Sequence, residues 1–255
     1  MRAPSSSRWF PLDSPYNSRM ISVRRCLLSG VLATVLAMLP LGAFQAAPGV
    51  HPVSGRKFAN VMGVGGAGWL VRPERIEEEQ PDKALDELHL KPGMVVADIG
   101  AGVGYMSIKM ARRVAPNGKV YSNDIQPEML VMLRENLAKQ KVANIEPVLG
   151  ETADPKLPAN TMDLVLLVDV YHEFSEPQIM LRKIRETLKA DGRLVLLEYR
   201  AEDPKVPILP EHKMTVAQVR QELEAEGFKL SQVIESLPRQ HILILTKAQA
   251  AAAAR

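Results

Sequence analysis

From Val95 onward the chain alternates short apolar runs of five to seven residues with longer amphipathic stretches. Short apolar runs bounded by turn residues read as buried strands, and apolar positions recurring every three or four residues over ten or more read as helices. The pattern predicts strands over 95–99, 120–124, 145–149, 164–168, 194–198, 229–235 and 242–246, and helices over 82–88, 105–114, 127–140, 177–188 and 216–226. Two helix starts carry a capping-box spacing, Ser175 with Gln178 and Thr215 with Gln218, and Gly227 fits the position just past a helix. Strand alternating with helix implies a parallel sheet covered by helices on both faces. The last two strands are joined only by Ser236-Leu237-Pro238-Arg239-Gln240, too short for a crossover, so they pair as an antiparallel hairpin. The expected fold is therefore α/β over residues 81–247, a seven-stranded, mostly parallel sheet closing on a C-terminal hairpin.

The residues before this domain follow other rules. Arg24 and Arg25 precede an uncharged run from Cys26 to Ala47, which ends among small residues. This reads as an export leader or anchor over residues 1–47; a buried helix would need an amphipathic period that is absent. A leader sends the domain across the membrane, free in the periplasm or anchored facing it, and makes the leader its only membrane contact. Val23-Arg24-Arg25-Cys26-Leu27-Leu28 also resembles a twin-arginine signal, a route that carries folded proteins. Without a leader the protein would be cytoplasmic. Residues 48–80 form a flank with a glycine run, Gly63 to Gly68, and a charge-dense segment, Arg72 to Pro81. No strand precedes those glycines, so a phosphate loop is excluded and a flap or glycine-packed linker is expected. The charged segment reads as a solvated helix face. Residues 248–255 read as a frayed tail.

Charge and cysteine content narrow the chemistry. Of 32 basic and 29 acidic residues, 27 and 28 lie beyond residue 47, so the domain is nearly neutral and offers no basic stripe for nucleic acid. The single cysteine, Cys26, belongs to the leader, which leaves the domain without a disulfide, a thiolate nucleophile or a cysteine metal site.

The chemistry-bearing motif is the strand Val95-Val96-Ala97-Asp98-Ile99 running into Gly100-Ala101-Gly102-Val103-Gly104-Tyr105. Ligands of open α/β sheets bind beyond the carboxyl ends of strands, and glycines let the backbone approach them. A dinucleotide fingerprint needs a sixth-position glycine to seat pyrophosphate, and Tyr105 stands there. An acid two residues before the glycine turn suits instead a ligand with an amino acid end and no phosphate. Asp98 is expected to order the glycine loop and the ligand's ammonium, and Asp124, ending the second strand, to accept from a ribose.

VVADIGAGVGY followed by VYSNDIQPEML resembles the first two motifs of class I S-adenosylmethionine-dependent methyltransferases, and the likeness continues through VLGE, DLVLLVDVYHEF and LKADGRLVLLEY. The resemblance implies a Rossmann-like fold with S-adenosylmethionine as cofactor. It implies that Asp98, Gly100, Ala101, Gly102 and Gly104 contact the methionine part, Asp124 the ribose, and Ile125 the adenine. An acid after the third strand faces the adenine amine in this family, a role for Glu151 or, after a longer loop, Asp154.

Such an enzyme mainly holds a nucleophile in line with an already electrophilic methyl, and needs a base only for a protonated acceptor. Tyr171, His172 and Glu173, just after the fourth strand, are the candidates for positioning the acceptor and removing its proton, His172 first; a His–Glu pair that merely braces the loop is the alternative. Glu198 and Tyr199 would line the opposite wall, and His212 sits in a Pro-rich stretch that could cover the pocket. By elimination the acceptor is a small organic molecule, with a lipid-like quinone precursor also suited to the apolar domain. The competing functions are a non-catalytic cofactor-binding module or sensor and a nicotinamide-dependent oxidoreductase.

Overall fold

A computed structural model describes residues 49–249; the expected leader, residues 1–47 with Cys26, and most of the alanine-rich tail lie outside them. The strands are β1 (Val95–Ile99), β2 (Lys119–Asp124), β3 (Ile145–Leu149), β4 (Met162–Val168), β5 (Leu188–Arg200), β6 (Lys213–Met214), β7 (Phe228–Ile234) and β8 (Gln240–Lys247). They form one sheet in the order β3-β2-β1-β4-β5-β8-β7, with the two-residue β6 beside β5. β1 to β5 run parallel, and β8 is antiparallel to both β5 and β7. The hairpin expected from its short connection is present. The eighth strand is new: Lys213 and Met214 pair with Tyr199 and Arg200, too short a run for the pattern to register.

Among the described residues six α-helices accompany the sheet: α1 (Arg75–Glu78), α2 (Pro81–Glu87), α3 (Tyr105–Val114), α4 (Pro127–Gln140), α5 (Pro177–Thr187) and α6 (Val216–Glu224). Strand side chains alternate between faces. Val96, Leu164, Leu166, Val195 and Leu197 therefore pack with α2, α3 and α4, while Ala97, Ile99, Val165, Leu167, Leu194 and Leu196 pack with α5 and α6. Thr215 makes the expected capping box with Gln218, and Gly227 has φ of +79° just past α6. The box at Ser175 does not form. Pro177 takes the first helical position, where its missing N–H costs nothing, so Glu176 becomes the cap and Ser175 falls one residue outside. Gln178 instead donates to Glu226 (2.9 Å).

β1 and β4 are neighbours, but their successors diverge, β2 and β3 to one side and β5 to the other. Connections leaving toward opposite edges open a crevice at the carboxyl ends of β1 and β4, where open α/β sheets bind ligands. Among the described residues no helix is long and apolar enough to cross a membrane.

Candidate active site

A cavity of about 450 Å³ occupies this crevice, within the range that takes a small ligand. Gly100, Gly102, Asp124, Ile125, His172 and Glu173 line it, so residues from three separate loops converge. Gly100 and Gly102 adopt φ of +71° and +53°, and a Cβ on them would meet Val170 or Leu70 at about 2.5 Å. Only glycine lets the turn run this close to its neighbours. Ala101 and Gly104 shape the turn without lining the cavity: Ala101 N–H donates to Asn123, and Gly104 N–H to Ala101.

Asp124 ends β2 with both oxygens aimed at main-chain donors, Oδ2 accepting from Gly102 N–H (2.8 Å) and Oδ1 from Gln126 N–H (2.9 Å). Burial raises its pKa, opposed by those donors. Asp98 lies elsewhere. Period-two alternation turns it to the α3 face, where Oδ2 accepts from Ser107 Oγ (2.6 Å), beneath the glycine turn and outside the cavity lining. Burial pushes its pKa up to about 6, opposed by Ser107 and Arg75 and reinforced by Asp124.

A carboxyl favoured neutral in the fold stabilises below its unfolded pKa and loses that contribution as pH rises through about 6. Asp98→Asn, which lacks the titration, should therefore gain on the wild type by roughly 3 kcal/mol between about pH 3.5 and 7. Urea unfolding at the two pH values measures this; a pH-independent difference would contradict the buried neutral acid.

Glu151 and Asp154 do not reach the cavity. They pair with Lys156 at the surface, Glu151 at 3.2 Å and Asp154 at 3.5 Å, and Thr152 between them lines the site instead. Tyr171 is also turned away. Its ring is fully buried and its hydroxyl meets His51 Nε2 (3.2 Å).

His172 and Glu173 occupy a 3₁₀ turn, Tyr171–Glu173, directly after β4. His172 Nδ1 donates to Glu198 Oε2 (2.6 Å), and Glu198 Oε1 accepts from Tyr171 N–H (3.1 Å). Burial works against the charged imidazole, but the Glu198 carboxylate outweighs it and raises the pKa. Burial likewise raises Glu173 to about 7, while His172 and Met62 N–H oppose it. His212, at the end of the turn Pro210–His212, lines the cavity and brings Nδ1 within 3.2 Å of His172 Nε2.

The flank, expected to be a flap or a linker, supplies residues to the cavity lining. The glycine run becomes a 3₁₀ helix, Val64–Val71, whose Trp69 and Leu70 line the cavity. The charged segment is not wholly solvated as expected. Glu74 and Glu77 are exposed, but Glu79 is buried and accepts from Arg75 (2.6 Å), Arg72 (2.7 Å) and Tyr199 (2.8 Å). Arg72 also stacks 3.6 Å above Trp69. Helical spacing of Arg72, Arg75 and Glu79 was the one available signal, since these positions share a face. Asp169, in the motif around β4, is a further residue of the site that the sequence pattern does not single out. It lines the cavity at φ +53°, its Oδ2 accepts from Gln240 (2.7 Å), and its buried Oδ1 has no partner. Burial, then Glu79 and Glu198, raises its pKa well above the carboxylate range.

Sheet order and crevice together define the Rossmann-like fold of class I S-adenosylmethionine-dependent methyltransferases. Residues 90–244 match the family described as methyltransferase domain, and the chain belongs to that family. It is 29% identical to a crystal structure of a SAM-dependent methyltransferase from Aquifex aeolicus, with a TM-score of 0.69, covering 72% of this chain and 98% of that one. It is 32% identical over 111 residues to the protein-L-isoaspartate O-methyltransferase of Methanothrix thermoacetophila, covering 44% of this chain and 50% of that one. A ubiquinone/menaquinone biosynthesis C-methyltransferase from Escherichia fergusonii is 33% identical over 116 residues, 45% of this chain and 46% of its own length. An arsenite methyltransferase from Halobacterium salinarum is 31% identical over 107 residues, 42% of this chain and 27% of its own. The chain thus spans about half or less of the length of the curated relatives it matches.

The cavity suits the family's cofactor. In kind, its lining offers cationic Arg72 and Arg75 to a carboxylate, the Asp169 Oδ1 to an ammonium, Asp124 to hydroxyl groups and Ile125 with Met129 to an apolar ring.

Proposed function

We propose that the chain transfers a methyl group from S-adenosylmethionine to a small organic acceptor seated between the glycine turn and the His172–Glu173–His212 cluster. The observation that carries this reading is that Gly100, Gly102 and Asp124 line the same cavity as that cluster. The cofactor, when bound, supplies an electrophilic sulfonium methyl. What the chain adds is alignment of the acceptor, exclusion of water and a destination for the acceptor's proton. His172, clamped by Glu198, and Glu173 hold the acceptor's nucleophilic atom and help take its proton. Phe174, Met180, Ile208 and Leu209 supply apolar wall around them, which favours a largely apolar acceptor over a polar peptide.

The relatives' printed substrates, a protein, quinone precursors and arsenite, differ from one another, so the acceptor is argued from this cavity. Thiolate-assisted arsenite chemistry is disfavoured, because the chain's single cysteine is Cys26, outside the described residues. The long uncharged run after Arg24 and Arg25 supports export of the domain as a further part of this reading.

Calorimetry with S-adenosylmethionine, S-adenosylhomocysteine and NAD tests the cofactor, followed by methyl-labelled cofactor offered with metabolite extracts. Binding of the two adenosyl ligands without NAD, and label entering a small molecule, is expected. Binding without any label transfer would leave a sensor. Asp124→Ala should weaken S-adenosylmethionine binding by about 1.5–3 kcal/mol, the cost of losing charge-assisted hydrogen bonds, with the fold kept. Unchanged affinity would remove Asp124 from the ribose.

A further inference from the structure

His172 Nε2 and His212 Nδ1 face each other at 3.2 Å, with the rings nearly perpendicular at 81°. A carboxylate oxygen of Glu173 completes the group, and the three atoms lie within 4.8 Å of one another. We propose that His172, Glu173 and His212 form a binding site for one divalent transition-metal ion.

Several features favour a cation over a simple pair of histidines. A carboxylate can only accept from His172 Nδ1, so the proton of a neutral His172 sits there and the Nε2 lone pair points into the cluster. A carboxylate behind the far nitrogen of a metal-bound histidine is the usual outer support, since it sets the tautomer and raises ligand basicity. Glu198 fills that position at 2.6 Å, and its side chain is fully buried. The spacing also fits. Nitrogens 3.2 Å apart subtend an angle of about 100° at an ion bound about 2.05 Å from each, close to tetrahedral or octahedral values. The turn that carries His172 and Glu173 is held by Arg56, whose guanidinium donates to the His172 carbonyl at 3.0 Å.

Donor chemistry identifies the class of ion. Two imidazoles and one carboxylate suit zinc, iron or cobalt, whereas calcium and magnesium prefer all-oxygen sets. Three protein ligands leave at least one position for another donor, and the cluster lines the cavity. On the methyltransferase reading, that position would take the acceptor's oxygen or nitrogen and ease loss of its proton. The ion site itself rests only on the cluster.

The test uses tag-free protein stripped with chelator, titrated with zinc(II) by calorimetry and with cobalt(II) by visible absorption, without S-adenosylmethionine. One ion per chain is expected. His212→Ala should lower zinc affinity at least about 10-fold, and Glu198→Gln about 10- to 100-fold, as for lost outer support. His212 is only partly buried, so circular dichroism of His212→Ala should match wild type. His89→Ala, an exposed histidine outside the cavity, should leave zinc binding unchanged. Absence of binding by the wild-type chain, or wild-type affinity in His212→Ala, would leave a plain His–His contact and overturn the site. Since zinc and S-adenosylmethionine binding are read separately, zinc binding with no adenosyl binding would uphold the ion site and remove only the methyl-transfer reading.

Discussion

Turnover in His172→Ala and in Glu173→Gln should fall about 100-fold or more, with S-adenosylmethionine affinity within a few-fold of wild type. Both side chains line, from the turn after β4, the same cavity as Gly102 and Asp124. His172 cannot swing away, because Glu198 holds Nδ1 at 2.6 Å and its side chain is almost wholly buried. An interaction made mainly in the transition state lowers turnover when removed and leaves ligand affinity alone. That split is what single-turnover rates and calorimetry would read. Turnover within a few-fold of wild type in both variants would leave alignment and dehydration as the whole of catalysis. A matching loss of cofactor affinity would mean the turn supports the cofactor instead.

Glu222→Ala should destabilise the fold by roughly 3–5 kcal/mol, the cost of leaving a buried charge without its partner. Glu222, on α6, is fully buried and accepts from Arg56 through two bonds, Nε at 3.1 Å and Nη2 at 3.0 Å, and also from Ser54. His51 Nδ1 accepts from Val53 N–H (3.2 Å), so a neutral ring carries its proton on Nε2, facing Glu222 (3.4 Å) and the Tyr171 hydroxyl (3.2 Å). This is the neutral form that burial, the main cause of its lowered pKa, favours. The network clips residues 51–56 to α6 and reaches the main chain of His172, joining stability to the geometry of the site. Denaturant unfolding of Glu222→Ala and of the double variant Glu222→Ala/Arg56→Met separates the two costs, since removing the cation as well should restore part of the loss. A change under about 1 kcal/mol would mean water compensates Arg56, contrary to a dry network.

The hairpin, the order of strands and helices, and the glycine turn were legible because each depends on residues close in sequence. Pro238 and a five-residue link permit nothing but an antiparallel return, and a strand running into Gly100 to Gly104 needs left-handed backbone that few residues other than glycine adopt readily. Asp124 too was placed by its position at a strand end. Where the structure departs from the pattern, the deciding contact comes from far along the chain in some cases, as at Tyr171 and Glu79, and from close by in others. Ser175 looked like a cap until Pro177 took the first helical position, a local competition that spacing alone did not resolve.

By itself the sequence determined the α/β layering, the glycine turn and the family of its motifs, since these follow from periodicity and local backbone demands. Only tertiary structure decided which polar groups face the cavity. Asp98 turned beneath the glycine turn, Tyr171 went into the core, and Glu151 and Asp154 stayed with Lys156, while Arg72, Arg75, Glu79, Asp169 and His212 came in. The physical reason is that a charged or polar side chain is stable wherever partners satisfy it. Several deciding contacts span long separations, 120 residues for Glu79 and Tyr199, 40 for His172 and His212, and 166 for Arg56 and Glu222, over which no local pattern carries information.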